Sequence, residues 1–124
     1  MENWSEIILK ATDTLNMAIK TLQKGGLRVA LIVDDSGKLI GTITDGDIRR
    51  GLLKHLPMNC QLSEFMSTEP TVAKLTDNHN QILLKMQELD LLQIPIIDDY
   101  GKVVGLETLQ NLHEKKWHGN PVFL

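Results

Sequence analysis

Apolar residues follow two patterns along this chain, short continuous runs and helical spacing, and the two patterns alternate. The run IILK at 7–10 predicts a strand, and apolar residues at helical spacing over 13–24 predict a helix. That helix is expected to end at Gly25 and Gly26, because glycine tolerates the left-handed conformation that closes helices. RVALIVD and KLIGTIT predict two more strands around the turn residues DDSG, and a short helix is predicted near 46–54. The predicted order is therefore β-α-β-β-α.

The second half of the chain repeats this order without a gap. Strands are predicted at TVAK (71–74), QIPIID and KVVGLET, and helices over 77–90 and near 108–116. A constant separation of 64 residues joins identical pairs such as Lys10 and Lys74, Asp13 and Asp77, Ile32 and Ile96, Gly41 and Gly105, and Thr44 and Thr108. Two copies with so long a period indicate a duplicated small unit rather than a solenoid.

Polar residues before the two longer helices predict where those helices begin. Thr12-Asp13 and Thr76-Asp77 offer side-chain oxygens to the first free N–H groups, so we expect these pairs to be the N-caps. The apolar positions expected to face the core are Leu15, Ala18, Ile19 and Leu22 in the first copy and Ile82, Leu83, Met86 and Leu89 in the second.

Each unit is too small to cover both faces of its own three-stranded sheet. We therefore expect an α/β (α+β) fold in which the two repeats pack sheet to sheet about a pseudo-two-fold axis, with two equivalent clefts between them. The predicted organisation is a first repeat at 1–57, a linker with a short helix at 58–70, and a second repeat at 71–117. Residues 118–124 are expected to begin a linker or a strand into a following domain.

Composition restricts the possible partners. Charged residues make up 23% of the 124 residues and the net charge is −3, so no basic surface is expected and nucleic acid is not a predicted partner. Cys60 is the only cysteine, and the acidic N-terminus does not resemble a signal peptide. No apolar run approaches the ~20 residues of a membrane-spanning helix. We expect a cytoplasmic protein without a membrane partner.

The sequence contains no recognisable catalytic motif. The GK pairs at 37–38 and 101–102 lack the other glycine and the hydroxyl residue of a phosphate-binding loop. The four histidines show no metal-ligand spacing with Cys60. We therefore predict a non-catalytic module that requires neither a metal nor a cofactor.

Polar and charged residues concentrate at one strand-to-helix junction, TDGDIRR. Asp45 or Asp47 could cap the short helix, or the two could hold Mg²⁺, alone or with a nucleotide phosphate. A carboxylate at a helix start could equally accept both cis hydroxyls of a ribose, while Thr44 and Arg49 or Arg50 bind phosphate. The residues alone support a cap and a ligand site equally.

The stretches VALIVDDSGKLIGTITDGDIRRGL and QIPIIDDYGKVVGLETLQNL together resemble a tandem pair of cystathionine-β-synthase-type (CBS) domains, and the resemblance covers nearly the whole chain. It implies a regulatory module that binds AMP, ADP or ATP in a cleft between the repeats. Asp47 would hold the ribose and Thr44 the phosphate region, with apolar residues beside the base. The ligand-binding residues that the resemblance implies are Val29, Ala30, Ile43, Thr44, Asp47, Arg49 and Arg50.

The second copy departs from this pattern. Glu107 stands where the first copy has Ile43, and Asn111 stands where it has Asp47. An amide brings no charge and one acceptor oxygen to a pair of hydroxyls, so the second cleft is expected to be empty or to bind a different ligand. Its candidate residues are Ile94, Pro95, Thr108 and Asn111.

TDGDIRRGL also resembles CBS pairs attached to sugar-phosphate isomerases and to nucleotidyltransferases. The apolar end HGNPVFL resembles the start of a nucleotidyltransferase domain, which implies that this chain is the N-terminal regulatory module of such an enzyme. The family also implies a homodimer, formed through either the longer or the shorter helices. The alternative function is a ligand-free structural dimerisation module.

Overall fold

The computed structural model describes residues 4–112, and its elements follow the β-α-β-β-α order twice. The elements of the first repeat are β1 (Ile8–Lys10), α1 (Leu15–Gly25), β2 (Val29–Val33), β3 (Leu39–Thr44) and α2 (Asp45–Leu53). Those of the second are β4 (Ala73–Lys74), α3 (His79–Glu88), β5 (Gln93–Ile97) and β6 (Val103–Thr108), after which residues 109–112 are helical. Short 3₁₀ turns lie at Trp4–Ile7 and Leu62–Glu64. The remainder of the helix predicted near 108–116 and the segment predicted at 118–124 lie outside the described residues.

Each repeat builds one three-stranded sheet, and the two sheets have the same topology. β2 pairs in parallel with β1 and antiparallel with β3, and β5 pairs in the same way with β4 and β6. Ala30 lies opposite Ile43 in the first sheet, and Ile94 lies opposite Glu107 in the second. The predicted duplication is therefore confirmed down to the register of the strands.

Strand β2 is buried on both faces, because it lies between a helix layer and the other sheet. Ala30 and Ile32 pack with the helices in the core of the first repeat. Alternate residues of the same strand point the other way and meet the second sheet. The buried cluster between the two sheets consists of Ile7, Val29, Leu31, Val33, Val103 and Leu106. The predicted sheet-to-sheet packing is confirmed.

The hairpin turns of the two repeats pair with each other. Lys38 and Lys102, which are equivalent in the duplication, form an isolated antiparallel bridge. The Leu39 N–H donates to the Gly101 carbonyl at 3.0 Å, and a bond of 3.3 Å runs in the opposite sense. Because equivalent residues meet here, the pseudo-two-fold axis passes between these two hairpins.

The linker between the repeats folds back over the first repeat. The first N–H groups of α1, at Leu15 and Asn16, donate to linker carbonyls at 2.9 Å. Farther along the linker, Ser67 exchanges two backbone hydrogen bonds with Thr42 on the edge of β3. The linker residues that precede β4 are thereby held beside the end of β3.

Both longer helices begin later than predicted. Thr14 and Asn78 are the N-caps, because each side chain accepts a hydrogen bond from the N–H three residues later. The prediction of Thr12-Asp13 and Thr76-Asp77 was wrong, since each aspartate accepts instead from the N–H three residues before it, at 2.8 and 2.9 Å. Leu89, predicted to face the core, is 54% exposed at the C-terminal end of α3.

Candidate functional site

A cleft of about 540 Å³, here called the Asp47 cleft, opens between the two repeats. Its walls come from the junction of β3 with α2, from the linker before β4, and from the segments that lead into β2 and β5. The lining residues are Arg28, Val29, Thr42, Thr44, Asp45, Gly46, Asp47, Ser67, Glu69, Pro70, Thr71, Asp90, Leu91, Leu92, Gln93 and Pro95. Both repeats and the linker therefore contribute to one site.

Thr44 and Asp47 form a reciprocal cap at the start of α2. Asp47 Oδ2 accepts hydrogen bonds from the Thr44 N–H at 2.9 Å and from the Thr44 hydroxyl at 3.1 Å. In return, the Asp47 N–H donates to Thr44 Oγ1 at 3.4 Å. Such a capping box satisfies free N–H groups and places negative charge at the positive end of the helix. The structure thus shows the capping role that the sequence left open.

The second carboxylate oxygen of Asp47, Oδ1, forms an ion pair with Arg50, one helical turn later. The Asp47 side chain is 13% exposed, whereas the Arg50 side chain is 65% exposed. Because Arg50 lies mostly in water, this pair is weak and Oδ1 can exchange Arg50 for another donor. Capping through Oδ2 therefore leaves Oδ1 available to a ligand hydroxyl.

The structure brings only part of the predicted ligand-binding set to the Asp47 cleft. The members that line it are Val29, Thr44 and Asp47. Ala30 and Ile43 are fully buried cross-strand neighbours in the core of the first repeat, because successive residues of a strand face opposite ways. Arg49 and Arg50 are exposed on α2 and are not among the lining residues. The contacts of these four residues with a base or a phosphate stay predictions.

Several lining residues were not identified from the sequence. The segment that precedes β4 contributes 69–71, and the segment that leads into β5 contributes 90–93. Arg28 has a φ of 62° and Asp90 a φ of 55°, a left-handed conformation that is uncommon outside glycine. No local sequence pattern marks these positions as parts of a cleft, since they reach it only through the packing of the two repeats.

A second cleft of about 380 Å³ lies at the equivalent position across the pseudo-two-fold axis. Of the residues predicted for it, Thr108 lines it, whereas Pro95 lines the Asp47 cleft. Ile94 is fully buried, and the Asn111 N–H donates to Thr108 Oγ1 at 3.0 Å. Arg28 lines both clefts, so the two sites share a wall.

Metal binding has little support in the described part of the chain. Within residues 4–112, no three His, Cys, Asp or Glu side chains are grouped so that they could hold a metal ion. The Mg²⁺ alternative at Asp45 and Asp47 would depend on two carboxylates, one of which already pairs with Arg50.

Within residues 4–112, no helix has both the length and the apolar character needed to cross a membrane.

The molecule is a duplicated α/β module, in which two equivalent units pack sheet to sheet with clefts of ligand size between them. The chain belongs to the CBS domain family, since the sequence profile of the CBS domain matches residues 4–54 and again residues 62–112. The tandem CBS pair predicted from the sequence is confirmed by this match.

The curated relatives of the chain are much longer proteins. It is 30% identical over 95 residues to L-aspartate semialdehyde sulfurtransferase of Methanocaldococcus jannaschii. The aligned segment covers 77% of this chain and 18% of that protein. It is 28% identical over 115 residues to arabinose 5-phosphate isomerase KdsD of Francisella tularensis subsp. tularensis, which is 90% of this chain and 35% of that protein. The chain therefore spans only about a fifth to a third of the length of these relatives.

Solved CBS pairs have the same fold. The CBS domain pair of protein MJ0100, in complex with 5′-methylthioadenosine and S-adenosyl-L-methionine, matches with a TM-score of 0.78 and 26% identity, covering 92% of this chain and 90% of that one. CBSX2 in complex with AMP matches with a TM-score of 0.78, covering 90% of this chain and 87% of that one. Because the sequence identity to CBSX2 is only 19%, this second match shows a shared fold and nothing more. The predicted fold class is confirmed.

Proposed function

We propose that this CBS pair is a non-catalytic regulatory module that binds an adenosine-containing ligand in the Asp47 cleft. The observation that carries the proposal is the position of Asp47, which lines a cleft of about 540 Å³ shared by both repeats and whose Oδ1 is paired only with a mostly exposed arginine. Small-molecule sites typically measure ~300–1,000 Å³. The MJ0100 pair was solved with two compounds that contain adenosine, which supports this choice of ligand. AMP, ADP and ATP, the ligands predicted from the sequence, contain it as well.

The wall of the cleft offers a partner for each part of such a ligand. Asp47 Oδ1 would accept hydrogen bonds from the ribose hydroxyls, beside Arg50 or in its place. Val29 and Pro95 supply apolar surface from the two repeats for the base. The 5′ substituent would lie beside Thr44 and Asp45, at the start of α2.

Regulation follows from the position of the cleft between the repeats. A ligand that contacts Val29 of the first repeat and Pro95 of the second stabilises one relative arrangement of the two. An attached enzyme domain would respond to that arrangement. We propose that this enzyme is a sugar-nucleotidyltransferase, because TDGDIRRGL and HGNPVFL resemble segments of such proteins. Neither of the two relatives named above is a nucleotidyltransferase, and one of them, KdsD, is a sugar-phosphate isomerase.

We also propose that the module forms a homodimer. Each of α1, α2 and α3 leaves large apolar side chains exposed, among them Met17 on α1 (46%), Leu53 on α2 (72%) and Leu84 on α3 (56%). Burial of such surface against a second copy would stabilise a dimer. The alternative of a ligand-free dimerisation module shares this feature and differs only in the role of the cleft.

Replacement of Asp47 by alanine tests the ligand proposal. The variant loses the acceptor for the ribose, so its affinity for adenosine and for AMP, measured by calorimetry, should fall by the same factor, about tenfold or more. It also loses the carboxylate of the capping box, so its free energy of unfolding should fall by about 0.5–2 kcal/mol.

Asn78→Ala is the matched control for that loss of stability. Asn78 forms a capping box with Gln81 at the start of α3 and is not among the residues that line the Asp47 cleft. This variant should lose a comparable amount of stability and keep its affinity for adenosine. If Asp47→Ala behaved in the same way, Asp47 would be only a cap and the ligand-free module would be favoured.

A further inference from the structure

The charges on the wall of the Asp47 cleft are unequal. The lining contains four carboxylates, those of Asp45, Asp47, Glu69 and Asp90, and one cationic side chain, Arg28. The Asp47 carboxylate is balanced by its ion pair with an arginine of α2. In the described part of the chain, the carboxylates of Asp45, Glu69 and Asp90 take part in no ion pair. The unbalanced charge of the wall is therefore negative.

These charges act together on any bound molecule. A cavity of this volume is roughly 10 Å across, which is comparable to the screening length of ~8 Å at physiological ionic strength. Asp45, Glu69 and Asp90 are all exposed, so each acts weakly by itself, but a cleft lined by one sign of charge concentrates the field. Arg28 offsets one of the three carboxylates.

The start of α2 is the wall feature that would favour an anion. A helix N-terminus carries the equivalent of about half a positive charge. Arg28 leaves two carboxylates of the wall without compensation, and about half a positive charge is too small to offset them. Arg49 and Arg50, the other cations nearby in the chain, lie outside the lining. The helix terminus therefore does not reverse the sign of the cleft.

We infer that the Asp47 cleft selects an adenosine derivative whose 5′ substituent is neutral or positively charged, such as an amine or a sulfonium, over one that carries a phosphate. A phosphate monoester brings a charge of about −1.5 to −2 at neutral pH, and the wall would repel it. This inference rests on the proposed function and narrows the class of its ligand.

Calorimetric titrations with three probes test the inference. Adenosine is neutral, AMP is anionic, and S-adenosyl-L-methionine carries a net positive charge, so the three differ in charge at the 5′ side. At low ionic strength and with a metal chelator present, affinity should fall in the order S-adenosyl-L-methionine, adenosine, AMP, by about threefold or more at each step. The differences should shrink when the salt is raised to about 0.5 M.

Charge variants of the wall assign the effect to its residues. Glu69→Gln and Asp90→Asn each remove one negative charge, and asparagine suits position 90 because it tolerates the left-handed φ of 55°. Each should raise the affinity for AMP relative to adenosine by about two- to threefold, and Arg28→Gln should lower it by a similar factor. Asp99→Asn, which removes the same charge from an exposed hairpin outside the cleft, should leave the ratio unchanged.

The possible results separate the inference from the proposed function. Tighter binding of AMP than of adenosine by the unmodified protein would overturn the charge inference and leave an adenosine-binding module standing. An unchanged affinity ratio in all three wall variants would also overturn it. Binding of none of the three probes would overturn the proposed function, and the inference would fall with it.

Discussion

At the scale of single residues, Cys60 combines a buried thiol with a neighbouring carboxylate. Its Sγ donates to Glu64 Oε2 at 3.0 Å, and the residue is only 5% exposed. The hydrogen bond to Glu64, burial, and the negative charge of that carboxylate raise the pKa of the thiol from 9.0 to about 11. Because the thiolate is the nucleophilic form, Cys60 is expected to be inert near neutral pH.

We expect iodoacetamide to modify Cys60 slowly in the folded protein. With a pKa of about 11, the thiolate fraction near pH 8 is about a hundredfold smaller than for a thiol with a pKa of 9.0, and the rate should rise with pH towards 11. Glu64→Gln removes the negative acceptor, so it should lower the thiol pKa and speed modification. Mass spectrometry of timed samples gives the rate.

Glu69→Gln serves as the control for Cys60 reactivity, because it removes another glutamate charge from the same linker. Hydrogen bonds of the Cys60 thiol involve Glu64 and the Gln61 carbonyl, so loss of the Glu69 charge should leave the rate unchanged. Equal rates for Glu64→Gln and the unmodified protein would contradict the assigned cause of the shift.

At the scale of elements, the contact between β3 and the linker depends on a residue without a side chain. A Cβ atom at Gly41 would lie 2.8 Å from both the Met66 sulfur and the Ser67 carbonyl oxygen. That carbonyl accepts a hydrogen bond from the Thr42 N–H at 3.0 Å, so the linker can pair with β3 only when position 41 is small. The same contact places the linker wall of the Asp47 cleft.

Gly41→Ala should therefore destabilise the protein and weaken adenosine binding together. Overpacking of this kind costs about 1–3 kcal/mol, which a urea titration would detect as a lower unfolding midpoint. Gly46→Ala is the control for stability, since its Cβ would meet atoms no closer than 3.6 Å and alanine is the better helix former. An unchanged midpoint for Gly41→Ala would contradict the requirement for glycine.

At the scale of the whole molecule, the proposed homodimer predicts a species of twice the chain mass of 14.0 kDa in sedimentation velocity. Two separate variants test the two predicted interfaces: Leu53→Asp places a charge on α2, one of the shorter helices, and Leu84→Asp places one on α3, one of the longer helices. The variant whose charge lies in the dimer interface should be monomeric. Tyr100→Asp, at a residue 79% exposed on a hairpin, is the control and should stay dimeric. A 14.0 kDa species at every concentration of unmodified protein would refute the dimer.

Much of the fold was predictable because it depends on neighbours within about one helical turn. The strands follow from apolar runs, and the end of α1 follows from the left-handed Gly26. For α2 the sequence offered Asp45 or Asp47 as the cap, whereas Thr44 is the N-cap and Asp47 completes its capping box. Before α1 and α3, neighbouring side chains compete to cap the helix. The predicted caps there end one position before the observed N-caps, Thr14 and Asn78. Both capping aspartates of the prediction close the preceding turn instead.

The duplicated unit was predictable from the sequence alone, and so were its elements and the polar junction at the start of α2. Tertiary structure decided which side chains share the cleft: it brought in Arg28 and Asp90, assigned Pro95 to the Asp47 cleft rather than the second one, and left Arg49 outside. Capping and apolar periodicity are set by hydrogen bonds and burial along a few successive residues. The composition of the cleft depends instead on how two sheets far apart in sequence pack face to face, and on which way each strand residue points.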